Sequence, residues 1–137
     1  MADTATLTKS IGPAVAGNSP DGSTNVGQSA TRNVEVHSGT GGAGVVGITN
    51  GRVIITDSGA ALLTLAAPTA GDRSAGGNDG DRLEIISTTA QAHTVTTPSN
   101  KINGNKLTAT FAAVADHIEL IAYNGVWYVI NNNTTLS

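Results

Sequence analysis

The sequence predicts an all-β fold: a compact antiparallel β-sandwich or small β-barrel carrying an extended N-terminal arm. Three observations lead there. Of its 137 residues, 17 are Gly, and Thr, Ser, Asn and Ala fill much of the rest, a strand-and-turn composition. Short runs of alternating apolar and polar residues recur with turn signals between them, and no segment carries a helical period. Two Asn-Gly dipeptides, Asn50-Gly51 and Asn124-Gly125, stand between apolar runs as hairpin turns do.

The arm comes first. From residue 1 to 31 the chain has no aromatic residue, and its larger apolar side chains are isolated among Gly, Pro, Ser, Thr and Asn. Such a segment buries too little apolar area to offset its ordering entropy alone. Leu7, Ile11, Val15 and Val26 are spaced along it like anchors of an extended peptide on a partner surface. The β domain takes residues 32–137.

Within the domain, "NVEVHS" alternates, with Val34 and Val36 on one side and Glu35 and His37 on the other. In "VVGITNGRVIIT" a tight turn at Asn50-Gly51 would collect Val46, Ile48, Val53 and Ile55 on one face. "ALLTLAAP" is a strand stopped by Pro68, and "TAGDRSAGGNDGD" is a long loop. "RLEIIS" sends Leu83 and Ile85 inward, with Arg82 and Glu84 outward. "AHTVTT" ends at Pro98. At Asn103-Gly104 a tight hairpin would oppose Lys101 and Lys106, which argues for a looser turn. "LTATF", "HIELIAY" and "VWYVIN" complete the set, and no internal repeat is visible.

The last two strands pose the central question. Pairing outward from Asn124-Gly125 gives a face of Ile118, Leu120, Ala122, Trp127 and Val129, and a second of Ile121, Tyr123, Val126, Tyr128 and Ile130. Both are apolar, whereas a single-core domain normally wets one face of a sheet. Either the hairpin lies between two layers of its own chain or the second face meets another subunit. Tyrosines, apolar in the ring and wet at the hydroxyl, favour the subunit interface.

Other chemistry is weakly signalled. Net charge is −3 and the seven basic residues are scattered, so no patch tracks a phosphate backbone and nucleic acid is not an expected partner. No apolar run approaches the roughly 20 residues of a membrane-spanning helix, and the N-terminus lacks the pattern of a signal peptide. There is no Cys. Gly39-Thr-Gly-Gly-Ala-Gly44 fits a dinucleotide fingerprint by letter only, because a β-branched run follows where a helix must open. Asp72, Asp79 and Asp81 in the long loop offer a faint calcium motif, for which an ordinary polar loop is the better reading. His37, His93 and His117 are far apart, and Glu84, Asp116 and Glu119 form an acid–base pair only if a fold is assumed. Catalytic residues, metals and cofactors are not expected.

The run "LTLAAPTAGDRSAGGNDGDRLEIISTTAQAHTVTTPSNKINGN", continued by "DHIELIAYNGVWYVI", resembles a pattern in tailed-phage structural proteins over roughly Ala61 to Asn131. Capsid decoration (cement) proteins, head fibres and some fibre-tip domains share it. The resemblance implies an all-β homotrimer without catalysis, bound to the major capsid protein on the exterior of the virion after synthesis in the host cytoplasm. It also implies an N-terminal segment that attaches and a β domain that points outward. A receptor- or glycan-binding fibre domain is the alternative within the same group.

Overall fold

The computed structural model describes residues 33–137; the arm and its anchors Leu7, Ile11, Val15 and Val26 lie outside them. Ten strands are present among the described residues: β1 (Val34–His37), β2 (Gly42–Val46), β3 (Gly51–Ile55), β4 (Ala61–Leu65), β5 (Arg82–Ser87), β6 (His93–Thr96), β7 (Thr108–Phe111), β8 (His117–Tyr123), β9 (Val126–Asn132) and β10 (Thr135–Leu136). They form two five-stranded sheets, β9-β8-β5-β3-β1 (sheet 1) and β10-β7-β6-β4-β2 (sheet 2). The architecture is a sandwich and not a closed barrel. It is not purely antiparallel either. β1, β3 and β5 run parallel in sheet 1, as do β2, β4 and β6 in sheet 2, and the remaining pairings are antiparallel.

Parallel neighbours arise because the chain crosses from one sheet to the other after each of the first five strands, winding as a coil. Val34 pairs with Arg52, 18 residues on, and Gly42 with Ala61, 19 residues on. The next turn lengthens to 32 residues, Arg52 to Glu84 and Leu62 to Thr94, because the long loop after Pro68 is inserted.

The Asn50-Gly51 hairpin is therefore absent: β2 and β3 belong to different sheets. Gly51 serves a close approach instead. Its φ is +130°, and a Cβ there would sit 2.2 Å from the Asn33 carbonyl oxygen. The expected core residues are nonetheless inside, since Val46, Val53 and Ile55 are buried and Ile48 packs against them from the turn. At Asn103-Gly104 the turn is loose, and Ile102 rather than Lys101 faces Lys106.

The core lies between the sheets. Sheet 1 supplies alternate residues of β3, β5, β8 and β9, including Leu83, Ile85, Leu120 and Trp127; sheet 2 supplies Leu63, Leu65, Val95 and Phe111. Ile102 enters from the β6–β7 connection, whose backbone runs beside the start of β9: Trp127 N–H donates to Lys101 O at 2.8 Å and Asn103 N–H to Trp127 O at 2.8 Å. β1 inverts the hydrophobic pattern. Glu35 and His37 share the inward side with Val53 and Ile55, while Val34 and Val36 face out and are exposed. The Glu35 carboxylate accepts the Gly47 N–H at 2.9 and 3.1 Å, and His37 Nε2 lies 3.2 Å away without an aligned hydrogen bond.

Candidate interaction surfaces

The β8–β9 hairpin is the predicted one in register. Tyr123 faces Val126, Ala122 faces Trp127, Ile121 faces Tyr128 and Leu120 faces Val129. Asn124 (φ +50°) and Gly125 (φ +80°) supply the two left-handed residues such a turn requires. Beyond Val129 a bulge shifts the ladder, so Glu119 meets Asn131 and Ile130 drops out of the pairing. The hairpin is pinned from both sides: Asn124 N–H donates to Asp79 Oδ1 at 2.8 Å, and Trp127 Nε1–H donates to Ala66 O at 3.0 Å. The second contact spans the sandwich, which fixes the indole inside it.

Of the hairpin's two apolar faces, Ile118, Leu120, Ala122 and Trp127 are buried in the core. The other is the outer surface of sheet 1. Tyr123 is 61 % exposed, Ile130 48 % and Tyr128 42 %, with Ile121 and Val126 half-buried beside them. No second layer of the described chain covers this face. A charged belt crosses the sheet next to it, where Arg52 Nε donates to Glu84 at 2.7 Å and Arg82 Nη2 donates to Glu119 at 2.6 Å. Glu84 and Glu119 lie directly opposite each other in register, and each is neutralised by its arginine. Past the belt, Val36, Ile54 and Ile86 form a second apolar row in register.

Sheet 2 presents a different outer face. Ala43, Leu62, Thr94, Thr110 and Thr135 make one row, and Val45, Thr64, Thr96 and Thr108 the next. Neither row holds a charge. The hydroxyls of Thr96 and Thr108 hydrogen-bond at 3.0 Å. Where this face meets Pro98 there is an apolar concavity of about 400 Å³. Its sequence signals, "HTVT" and "LTATF", show the outward threonines only once the two strands are known to pair.

No protein-family model matches the chain and no curated protein matches it.

The acids of the long loop and His93 make structural contacts. Asp81 is buried and accepts from Thr49 Oγ1 at 2.7 Å, from Asn78 Nδ2 at 3.2 Å and from Arg73, tying the long loop to the β2–β3 turn. Asp79 holds Asn124, and Asp72 accepts the Ser74 hydroxyl at 3.1 Å. Among the described residues no three acidic or His side chains gather as a metal would require. The Gly39–Gly44 run forms a corner entering β2, with Gly41 against Ala60 so closely that a Cβ would lie 2.6 Å from its carbonyl oxygen. His93 is fully buried. Its Nδ1 accepts the Ala61 N–H at 3.1 Å, and Nε2 lies 2.8 Å from Thr89 Oγ1, which itself donates to Asp57 O. That chain of bonds fits the neutral Nε2–H tautomer, and burial lowers the imidazole pKa, opposed in part by Asp57.

Proposed function

We propose that this chain is a non-enzymatic structural protein of a bacteriophage head: a homotrimer on the outer capsid surface that stabilises the shell. The observation that carries the self-association is the outer face of the β8–β9 hairpin. The chain has only two Tyr, and both stand exposed there with Ile121, Val126 and Ile130. Exposed aromatic and aliphatic side chains clustered in this way, with arginine beside them, are characteristic of the centre of protein interfaces. Attachment to the major capsid protein through the segment of residues 1–31 rests on the resemblance of residues 61–131 to decoration proteins and on the anchor spacing of Leu7, Ile11, Val15 and Val26.

The same two tyrosines favour a second reading, a receptor- or glycan-binding fibre domain, because exposed aromatic rings also stack on sugars. Copy number on purified particles separates the two. Hundreds of copies over the shell, lost when residues 1–31 are deleted, support decoration; a few copies at a vertex or the tail support the fibre. A wild-type protein that remains monomeric both in solution and on particles refutes the trimer.

A further inference from the structure

We infer that Asn124, at the tip of the β8–β9 hairpin, is a site of spontaneous covalent modification: of the chain's three Asn-Gly dipeptides, it is the one that deamidates first in the folded protein. The reaction needs no enzyme. The backbone nitrogen of the following residue gives its proton to hydroxide and attacks Cγ of the Asn side chain. The C–N bond of the carboxamide then breaks and ammonia leaves. Water opens the resulting cyclic imide at either of its carbonyls, giving aspartate or, with the main chain rerouted through Cβ, isoaspartate. Glycine in the following position favours the attack, because no side chain shields its nitrogen. The sequence offers this at Asn50-Gly51, Asn103-Gly104 and Asn124-Gly125, and the dipeptide alone does not choose among them.

The fold does choose. The carboxamide must turn toward the following nitrogen, so a hydrogen bond that fixes it elsewhere must break first. Asn50 Oδ1 accepts the Arg82 N–H at 3.1 Å, the Asn50 carbonyl accepts from Asn33 Nδ2, and Gly51 is already the first residue of β3, in register with Leu83. Asn103 Oδ1 accepts the Val129 N–H at 3.0 Å, and the Asn103 N–H donates to Trp127 O. Asn124 differs. It is exposed, and its backbone N–H is held by Asp79, yet among the described residues its carboxamide makes no hydrogen bond. The ladder resumes only at Val126, which leaves the Gly125 N–H outside it. Either product adds a carboxylate to a turn already tied to Asp79. Isoaspartate also inserts a methylene into the main chain of a two-residue turn, which disturbs the register of Tyr123 with Val126.

The test is a time course on the full chain in mildly alkaline buffer, with a parallel sample held in denaturant. Peptide mapping by mass spectrometry follows the replacement of –NH2 by –OH at each site, and isoaspartyl methyltransferase labelling detects isoaspartate. In the native protein Asn124 should react at least about fivefold faster than Asn50 or Asn103, the factor that corresponds to one hydrogen bond broken beforehand. In denaturant the three rates should converge. The isoaspartate form, separated by anion exchange, should melt below the unmodified protein. The assignment is overturned if Asn50 or Asn103 keeps pace with Asn124 in the native protein, or if Asn124 stays intact while the denatured chain reacts. The same ranking in denaturant would overturn the fold as its cause, and an isoaspartate form that melts with the unmodified protein would overturn the effect on the turn.

Discussion

Leu120 and Ile121 are consecutive in β8 and face opposite ways: Leu120 lies in the core against Leu83, and Ile121 lies outside beside Tyr128. Period-two alternation makes them a matched pair for separating core from surface. Leu120→Asp buries a carboxylate without a partner, costs several kcal/mol and unfolds the domain. Ile121→Asp leaves the fold intact by circular dichroism. If the outer face joins subunits, it also converts the assembly to monomers in sedimentation. Ile121→Asp folded and still trimeric rejects this face as the interface.

Trp127 is the only Trp and is fully buried, with its indole N–H satisfied by Ala66. Its fluorescence should be blue-shifted and resist acrylamide until the domain unfolds. Trp127→Ala should cost about 3–5 kcal/mol, a large share of the roughly 5–15 kcal/mol typical of a domain. A melting temperature within a few degrees of wild type would contradict the packing described.

His93 gives the domain an acid-sensitive element. Burial holds its folded pKa below 6.5, with Asp57 partly opposing. As pH falls through 6.5 the unfolded chain takes up the proton first, so stability declines from there down to the folded pKa and then levels. A second proton donor at Nδ1 would also confront the Ala61 N–H. Melting curves between pH 7.5 and 5 should show this decline in the wild type and a shallower one in His93→Gln. Equal slopes would remove His93 as the cause.

Gly51→Ala should destabilise more than Gly104→Ala. Both positions have positive φ, but Gly104 faces open space while a Cβ at Gly51 collides with the Asn33 backbone. The turn substitution should cost about 1 kcal/mol of backbone strain. The Gly51 change adds displacement of β1 from β3, for a total on the order of 3 kcal/mol. Chemical denaturation of both variants gives the order, and equal midpoints would show that β1 yields freely.

What could be read from the sequence follows how local each signal is. Asn124-Gly125 specified its hairpin because the turn and both strands are contiguous, and the ladder holds until the bulge after Val129. The identical dipeptide at Asn50-Gly51 misled because its glycine meets Asn33, a contact made by the preceding turn of the coil. The coil itself left no sequence period: its strands share no motif, and the insertion after Pro68 stretches the 18- and 19-residue spacings to 32. The orientation of β1 ran against polarity, since Glu35 and His37 cap the open end of the core while the valines face out. The tyrosine face was legible as a second apolar side. The sheet 2 concavity was not, because its walls come from three separate stretches of chain.

Neither sheet is a continuous length of polypeptide, since the first five strands are dealt alternately to the two sides. Half the sandwich cannot form while the other half waits: completing the parallel pairing of β3 with β5 requires β4 to have crossed over and returned. Folding must therefore close several loops before any pays back in burial, which puts its rate in the slow regime of non-local β topologies, on the order of milliseconds to seconds. Once closed, the interleaving works the other way. No strand between β2 and β6 can peel off without drawing out a neighbour on the opposite side, so resistance to forced or proteolytic opening belongs to the whole domain at once.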